Sequence, residues 1–248
     1  LAYQQKHKLT DDQLRLMLAH VSALNYRNGI QNPLAHFGAG SLPDKKQLIT
    51  AEAILNLPDA GKGSNPMIAP PLRLHDCSLV TDGAAAVVLT SSENAKKNFK
   101  HAVELSGVGH TTDRIMLNGR KGRLHELQAT RHAVKLACEE AGIGITDLDF
   151  AEVHDCFTVN ELLCAEAIGL SEPGRAGFDL MEGKFNPDGD CPINLSGGLK
   201  AKGHPVGATG ASMHALAYKQ LIGEPIGVAA KNNAETAMTV NIGGSGVT

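Results

Sequence analysis

Tryptophan is absent from the 248 residues, and aromatic side chains make up only 4% of them. Any core must therefore be assembled from Ala, Val, Leu, Ile and Met. No apolar run approaches the ~18 residues that a membrane-crossing helix needs, so no membrane partner is expected. Neither sign of charge dominates: 23 Lys and Arg stand against 26 Asp and Glu, a net of -3. The electrostatic footprint of a nucleic-acid binder is missing. Closely spaced cysteines are missing too. The five present (Cys77, Cys138, Cys156, Cys164, Cys191) are an odd set with no pair at metal-ligand spacing. That favours free thiols in a reducing compartment, the cytoplasm, and no metal or disulfide framework. There is no initiating Met and no signal peptide. Leu1 falls in mid-pattern and Thr248 stops where a strand is due, so both ends read as cuts in a longer chain.

What is abundant is glycine around one imidazole. Residues 196–210 read S-G-G-L-K-A-K-G-H-P-V-G-A-T-G, five glycines with His204 held between Gly203 and Pro205. Glycine permits φ > 0 and close backbone approach at an entropic cost, and proline fixes φ. Such a segment places a ring in one position. The plainer alternative is a Gly-rich connection with an incidental histidine.

At this length a chain buries roughly 70–75% of its unfolded surface, enough for one large domain or two small ones. Residues 1–75 are the least regular. Thr10-Asp11-Asp12 signals the start of a helix with Leu14, Met17, Leu18 and Val21 on one face. Beyond it, dense proline punctuation suggests loops and short helices, a lid or substrate cover. From Asp82 strands and helices are expected to alternate: strands at 84–90, 102–107, 150–153, 226–230 and 237–242, helices at 124–141, 158–168 and 208–221. Gly142, Gly169 and Gly223 stand where helices should end. Thr158 and Glu161 have the spacing of a capping box. The pattern argues an α/β, layered fold.

Two strand-to-helix junctions carry reactive side chains, His154-Asp155-Cys156-Phe157 and Gly203-His204-Pro205. Ligands gather at such junctions, where helix N-termini favour negative charge. His204 has the right ordinary pKa for a base or a donor. Cys156, just before a helix and two residues after His154, is expected to have a lowered thiol pKa, Asp155 acting the other way. An inert buried thiol is the alternative. Asn241-Ile242-Gly243-Gly244 is a third glycine-rich turn, either an oxyanion site or a plain tight turn.

Together these motifs resemble the thiolase superfamily. Gly197-Gly198, Gly203-His204-Pro205 and Gly207-Ala208-Thr209-Gly210 look like its Gly-His-Pro motif with flanking glycines. His154-Asp155-Cys156-Phe157 is similar to the form carried by the sterol-carrier-protein-2-type thiolases and their lipid-transfer-protein relatives. Residues 76–86 resemble the end of the family's loop domain. The resemblance implies a thiolase-like layered fold: a loop domain over residues 1–81, the last strand of an N-terminal half over 82–95, and a C-terminal thiolase domain over 96–248. It implies acyl transfer on 3-ketoacyl-CoA or acetyl-CoA with no cofactor, coenzyme A being substrate. His204 would activate the nucleophilic thiol, His154 would serve the enolate's oxyanion hole, and the Gly243 N–H would serve the acyl-enzyme oxygen. Ser78, Phe157, Gly203 and Pro205 would line the substrate. Intact, such a protein would be a homodimer or homotetramer, or would pair with another subunit.

Two departures from the family pattern matter. Asn241-Ile242-Gly243 stands where most thiolases have Cys-x-Gly, so Cys156 inherits the second acid/base role. No cysteine here matches the family nucleophile, which would precede residue 1, and the 248 residues alone are expected to be inactive. A retro-aldolase on a 3-hydroxyacyl-CoA, or a non-catalytic CoA- or lipid-binding partner, are the alternative functions.

Overall fold

The computed structural model describes residues 1–38, 48–120, 122–231, 233–244 and 248. After a short helix α1 (Ala2–His7), the chain enters α2 (Asp11–Gly29) through a reciprocal cap. Thr10 Oγ1 accepts the Gln13 N–H at 3.1 Å, and the Gln13 side chain accepts the Thr10 N–H at 2.9 Å. Asp11 and Asp12 add negative charge to the first turn, where the helix dipole favours it.

Leu14, Met17, Leu18 and Val21 are buried as expected, but the burial does not stop at one face. Ala19, Ser22, Ala23, Leu24, Asn25, Tyr26, Asn28 and Gly29 are buried too. The helix touches α3 (Ala51–Leu55), α6 (Thr158–Ile168), α7 (Ala176–Met181) and α8 (Gly198–Lys202). A lid needs few buried contacts so that it can open. The longest helix of residues 1–75 is instead a central post.

A small antiparallel pair, β1 (Met67–Ala69) and β2 (Leu72–Arg73), leads into the turn Leu74–Asp76. The inner sheet is parallel: β3 (Phe150–Val153) pairs with β4 (Ala237–Val240), from Phe150 opposite Ala237 to Val153 opposite Val240. Ile193 bridges Ala151 on the other side. Val153, Ala151, Ile193 and Val240 join Leu14, Met17, Val21 and Leu162 in the main core. Burying a side chain of this kind stabilises by about 1.5–3 kcal/mol.

Several expected elements come out differently. Residues 84–90 form no strand, and Val88 and Leu89 are 91% and 79% exposed. A buried strand requires ladder partners for its N–H and C=O groups, and among the described residues no segment pairs with 84–90. Instead Ser91 caps α4 (Ser92–Asn98), its Oγ accepting the Asn94 N–H at 3.2 Å. Residues 102–107 are likewise unpaired. The expected strand at 226–230 is replaced by a side-chain clasp. Gln220 donates to the Val228 carbonyl at 2.6 Å and accepts the Ala230 N–H at 2.9 Å, doing the work of a neighbouring strand. Helix α5 starts at Gln128, not at Leu124, and runs to Ala141, ending at Gly142 with φ 70°. Helix α6 ends at Gly169 and α9 (Thr209–Leu221) shortly before Gly223, as expected.

The capping box on α6 does not form. Thr158 Oγ1 faces Asp76 Oδ1 at 3.3 Å, and Glu161 is drawn into a buried polar cluster. All five cysteines are free. No helix among the described residues is long and apolar enough to cross a membrane.

Candidate active site

Strand β3 delivers His154 and Asp155 to the point where α2, α6 and α8 meet. Asp155 is fully buried, and its carboxylate is the staple of that meeting. Oδ1 accepts the Leu199 N–H at 2.6 Å. Oδ2 accepts the Lys200 N–H at 3.1 Å and the Asn25 Nδ2 at 2.9 Å. The first two donors open α8, the short helix that runs directly to His204. Gly198 has φ 59°, and a Cβ there would overlap the Asp155 carboxylate, so only glycine fits.

Glu161 lies beside this staple, also fully buried, with Oε2 accepting from Asn25 and Asn194, each at 2.7 Å. Burial raises both carboxyls, and the Asp155 charge raises Glu161 further. Two backbone N–H donors oppose the rise at Asp155. The backbone donors favour charge on Asp155, and that charge disfavours ionisation of Glu161.

The two imidazoles come together. The His154 and His204 rings stand edge to face, centroids 5.0 Å apart and planes at 89°. His154 is almost wholly buried, its Nδ1 2.9 Å from Asn241 Oδ1 and 3.3 Å from the Ile242 N–H. His204 is held through Nδ1, 2.7 Å from Thr209 Oγ1. Gly203, at φ 122°, sets the backbone for it, and a Cβ there would press on the Thr81 side chain. Burial lowers both imidazole pKa values, opposed at His154 by the Asn241 hydrogen bond; His154 lowers that of His204 further, and the Lys202 ammonium adds to both. Both rings are neutral near pH 7.

Cys156 sits half-buried at the same junction, its Sγ receiving Asn160 Nδ2 at 3.3 Å. The expected lowering of its pKa does not occur. Burial and then the Asp155 charge push the thiol up to about 11, outweighing the Phe157 and Asn160 hydrogen bonds. Cys156 is a protonated thiol, suited to give a proton and unsuited to attack. Burial also raises Cys77, Cys138, Cys164 and Cys191. None of the five is an activated nucleophile.

The remaining predicted residues border the same spot. Ser78 N–H donates to the Cys156 carbonyl at 2.8 Å, and Cys77 bridges Phe157, which is 40% exposed. Val80 bridges His204, and Pro205 lies against Gly83. Gly243 follows the two residues that touch His154 and is exposed. A cleft of about 510 Å³ lined by Thr111, Asp113, Arg131, His132 and Lys135 is a separate feature and includes none of these residues.

Sequence reasoning missed the supports. Glu152, buried in β3, accepts from Ser196 N at 3.0 Å and Ser196 Oγ at 2.6 Å. Lys200 is buried and donates to Tyr26 Oη at 2.7 Å, and burial draws its pKa down to about 8. Asn25 is missed although it extends the stripe of Leu14, Leu18 and Val21 by one turn. A polar residue at the next apolar position was the available signal.

Residues 109–248 match the family described as thiolase C-terminal domain-like. An acetyl-CoA acetyltransferase of Methanothermobacter thermautotrophicus is 38% identical over 244 residues, covering 98% of this chain and 59% of that protein. Sterol carrier protein 2 of Rattus norvegicus is 36% identical over 176 residues, covering 69% and 32%. Among solved structures, the Ltp2-ChsH2(DUF35) aldolase superposes with a TM-score of 0.74 at 18% identity, covering 96% of this chain and 56% of that one. That likeness establishes a shared thiolase-like α/β fold. The chain spans about six-tenths of the length of the acetyltransferase.

Proposed function

The chain belongs to the thiolase family through residues 109–248, and on that premise we propose that the protein is an acyltransferase. Its substrates are 3-ketoacyl-CoA or acetyl-CoA, coenzyme A is itself a substrate, and no further cofactor takes part. The acyl group is carried on a cysteine outside residues 1–248, consistent with the raised pKa values of the five thiols within them. These residues alone are then inactive, and the working form is an oligomer or a complex with another subunit, in the cytoplasm.

The observation that carries this reading is the pair of neutral imidazoles 5.0 Å apart beside the Cys156 junction. In it, His204 takes the proton of the attacking thiol. His154 and the Gly243 N–H stabilise negative charge on the thioester oxygens. Cys156, held as the thiol, returns a proton at the substrate's α-carbon. Ser78, Phe157, Gly203 and Pro205 bound the space for the acyl-pantetheine chain.

A retro-aldolase acting on a 3-hydroxyacyl-CoA is the second reading, favoured by Asn241 occupying the position of a second thiol. The test is turnover of acetoacetyl-CoA plus CoA, and separately of a 3-hydroxyacyl-CoA, by the whole protein and its His204→Ala variant. Thiolysis should fall by about 10²–10⁴-fold in the variant, the contribution of a positioned general base. Near-wild-type turnover would sink the assignment. Activity on the hydroxyacyl-CoA alone would select the aldolase.

A further inference from the structure

We propose that Thr209 and the Asn241-Ile242 turn hold the two neutral imidazoles in opposite tautomers, leaving His204 a free ring lone pair and His154 a free ring N–H. A neutral imidazole has one donor nitrogen and one acceptor, and the bond made by one nitrogen decides the role of the other. Each ring has its own local hydrogen-bond set.

At His204 the deciding group is a hydroxyl. Thr209 Oγ1 lies 3.1 Å from the Pro205 carbonyl, which only accepts, so the single hydroxyl proton is spent there. The 2.7 Å contact between Thr209 Oγ1 and His204 Nδ1 must then be donated by the ring. His204 carries its proton on Nδ1, and Nε2 presents the lone pair. Thr209 is 1% exposed, so water does not replace the hydroxyl in this duty.

At His154 the deciding group is backbone. The Ile242 N–H points at Nδ1 from 3.3 Å and has no other role than donor. Asn241 Oδ1 is placed 2.9 Å from the same nitrogen; the oxygen and nitrogen of an amide are interchangeable in placement, and the orientation that agrees with the Ile242 donor is the one with the NH₂ group turned to Nδ1. Both neighbours then donate to Nδ1, and the proton of His154 resides on Nε2. The opposite tautomer would set the ring N–H against the Ile242 N–H.

The consequence is a division of labour between rings of the same kind. His204 has a nitrogen ready to take a proton, and His154 has one ready to donate to an oxygen. Thr209, Asn241 and Ile242 are positioning residues that act through the imidazoles. The tautomers rest on these contacts and on the turned Asn241 amide, while their use as base and oxyanion donor rests on the acyl-transfer reading above.

The test is nitrogen NMR of the protein labelled with ¹⁵N-histidine, at a pH of about 8, well above the ordinary imidazole value, with signals assigned by His154→Gln and His204→Gln. The expected spectrum has His204 protonated on Nδ1 and His154 on Nε2. Thr209→Val, which removes the acceptor at nearly constant volume, should move His204 to the Nε2–H form, and Thr209→Ser should restore Nδ1–H. Asn241→Asp should pull the His154 proton to Nδ1. The same tautomer in both wild-type rings, or no response of His204 to Thr209→Val or of His154 to Asn241→Asp, overturns the proposal. Opposite tautomers in a protein inactive on both acyl-CoA substrates would overturn the acyl-transfer reading while leaving this one standing.

Discussion

Strand β3 and residues 84–90 are written in nearly the same aliphatic alphabet and reach opposite states. Phe150, Ala151 and Val153 are fully buried, with β4 on one side and Ile193 on the other. Val88 and Leu89 stand in solvent. Apolarity does not separate the two stretches, since β3 even carries a carboxylate, Glu152. The partners of the backbone do. A strand is stable when its N–H and C=O groups have a ladder on each side, and a buried carboxylate is tolerated when donors meet it, as Ser196 meets Glu152 twice. What holds the interior here is therefore as much a polar lattice as an aliphatic core.

The sharpest way to break that contrast is to take one donor from the lattice. Asn25→Ala removes a single NH₂ group that serves Asp155 at 2.9 Å and Glu161 at 2.7 Å. Each buried acceptor that loses a donor costs about 1–3 kcal/mol, so urea unfolding should show a loss of about 2–4 kcal/mol. A loss below about 0.5 kcal/mol, the range of an unremarkable surface change, would mean that the lattice is ornament and the aliphatic contacts suffice.

A smaller effect separates the two buried carboxyls. Glu161 is raised well above the ordinary 4.5 by burial and by the Asp155 charge. Its folded form keeps a proton that the unfolded chain gives up once the pH passes about 4.5. The folded state is thus favoured by this group below that pH and loses stability as pH rises toward the folded value, by about 1.4 kcal/mol per unit. Glu161→Gln keeps the shape and has no proton to lose. The stability difference, variant minus wild type, should grow with pH above about 5 in denaturant titrations. A flat difference would show that Glu161 ionises normally in the fold.

Much of the frame was legible from local signals, because their partners lie within a few residues. Thr10 before Asp11-Asp12, Gly142 and Gly169 are of this kind, and the helices they bound begin or end close to expectation there. Most of the misreadings turn on partners beyond the local window, or on their absence among the described residues. Thr158 was free to cap α6 until Asp76, far back in the chain, is brought beside it. Gln220 replaces a strand at 226–230 in a way no periodicity reveals. The same division runs through the site. His154, Cys156 and His204 announce themselves by motif, while the Asp155 carboxylate beside them is fixed by Asn25, far back in the chain. That is why the thiol of Cys156 was expected to be acidic and is not: the helix terminus was visible in the sequence, and its burial beside the Asp155 charge was not.

The smallest expected effect tests the other half of the comparison. Val88 is 91% exposed, so Val88→Ser removes no buried contact, and substitutions at such positions change stability by less than about 0.5 kcal/mol. Urea midpoints of the 248-residue chain and its variant should therefore coincide. The informative measurement repeats the substitution in the whole protein. Where a further strand pairs with 84–90 and covers Val88, the loss should rise toward the roughly 1.5–3 kcal/mol of a buried valine. The difference between the two values measures the contribution of such a strand. Equal and negligible losses in both settings would mean that residues 84–90 are a surface segment by nature. A large loss in the 248-residue chain itself would mean that Val88 is already covered, and the contrast with β3 would fall.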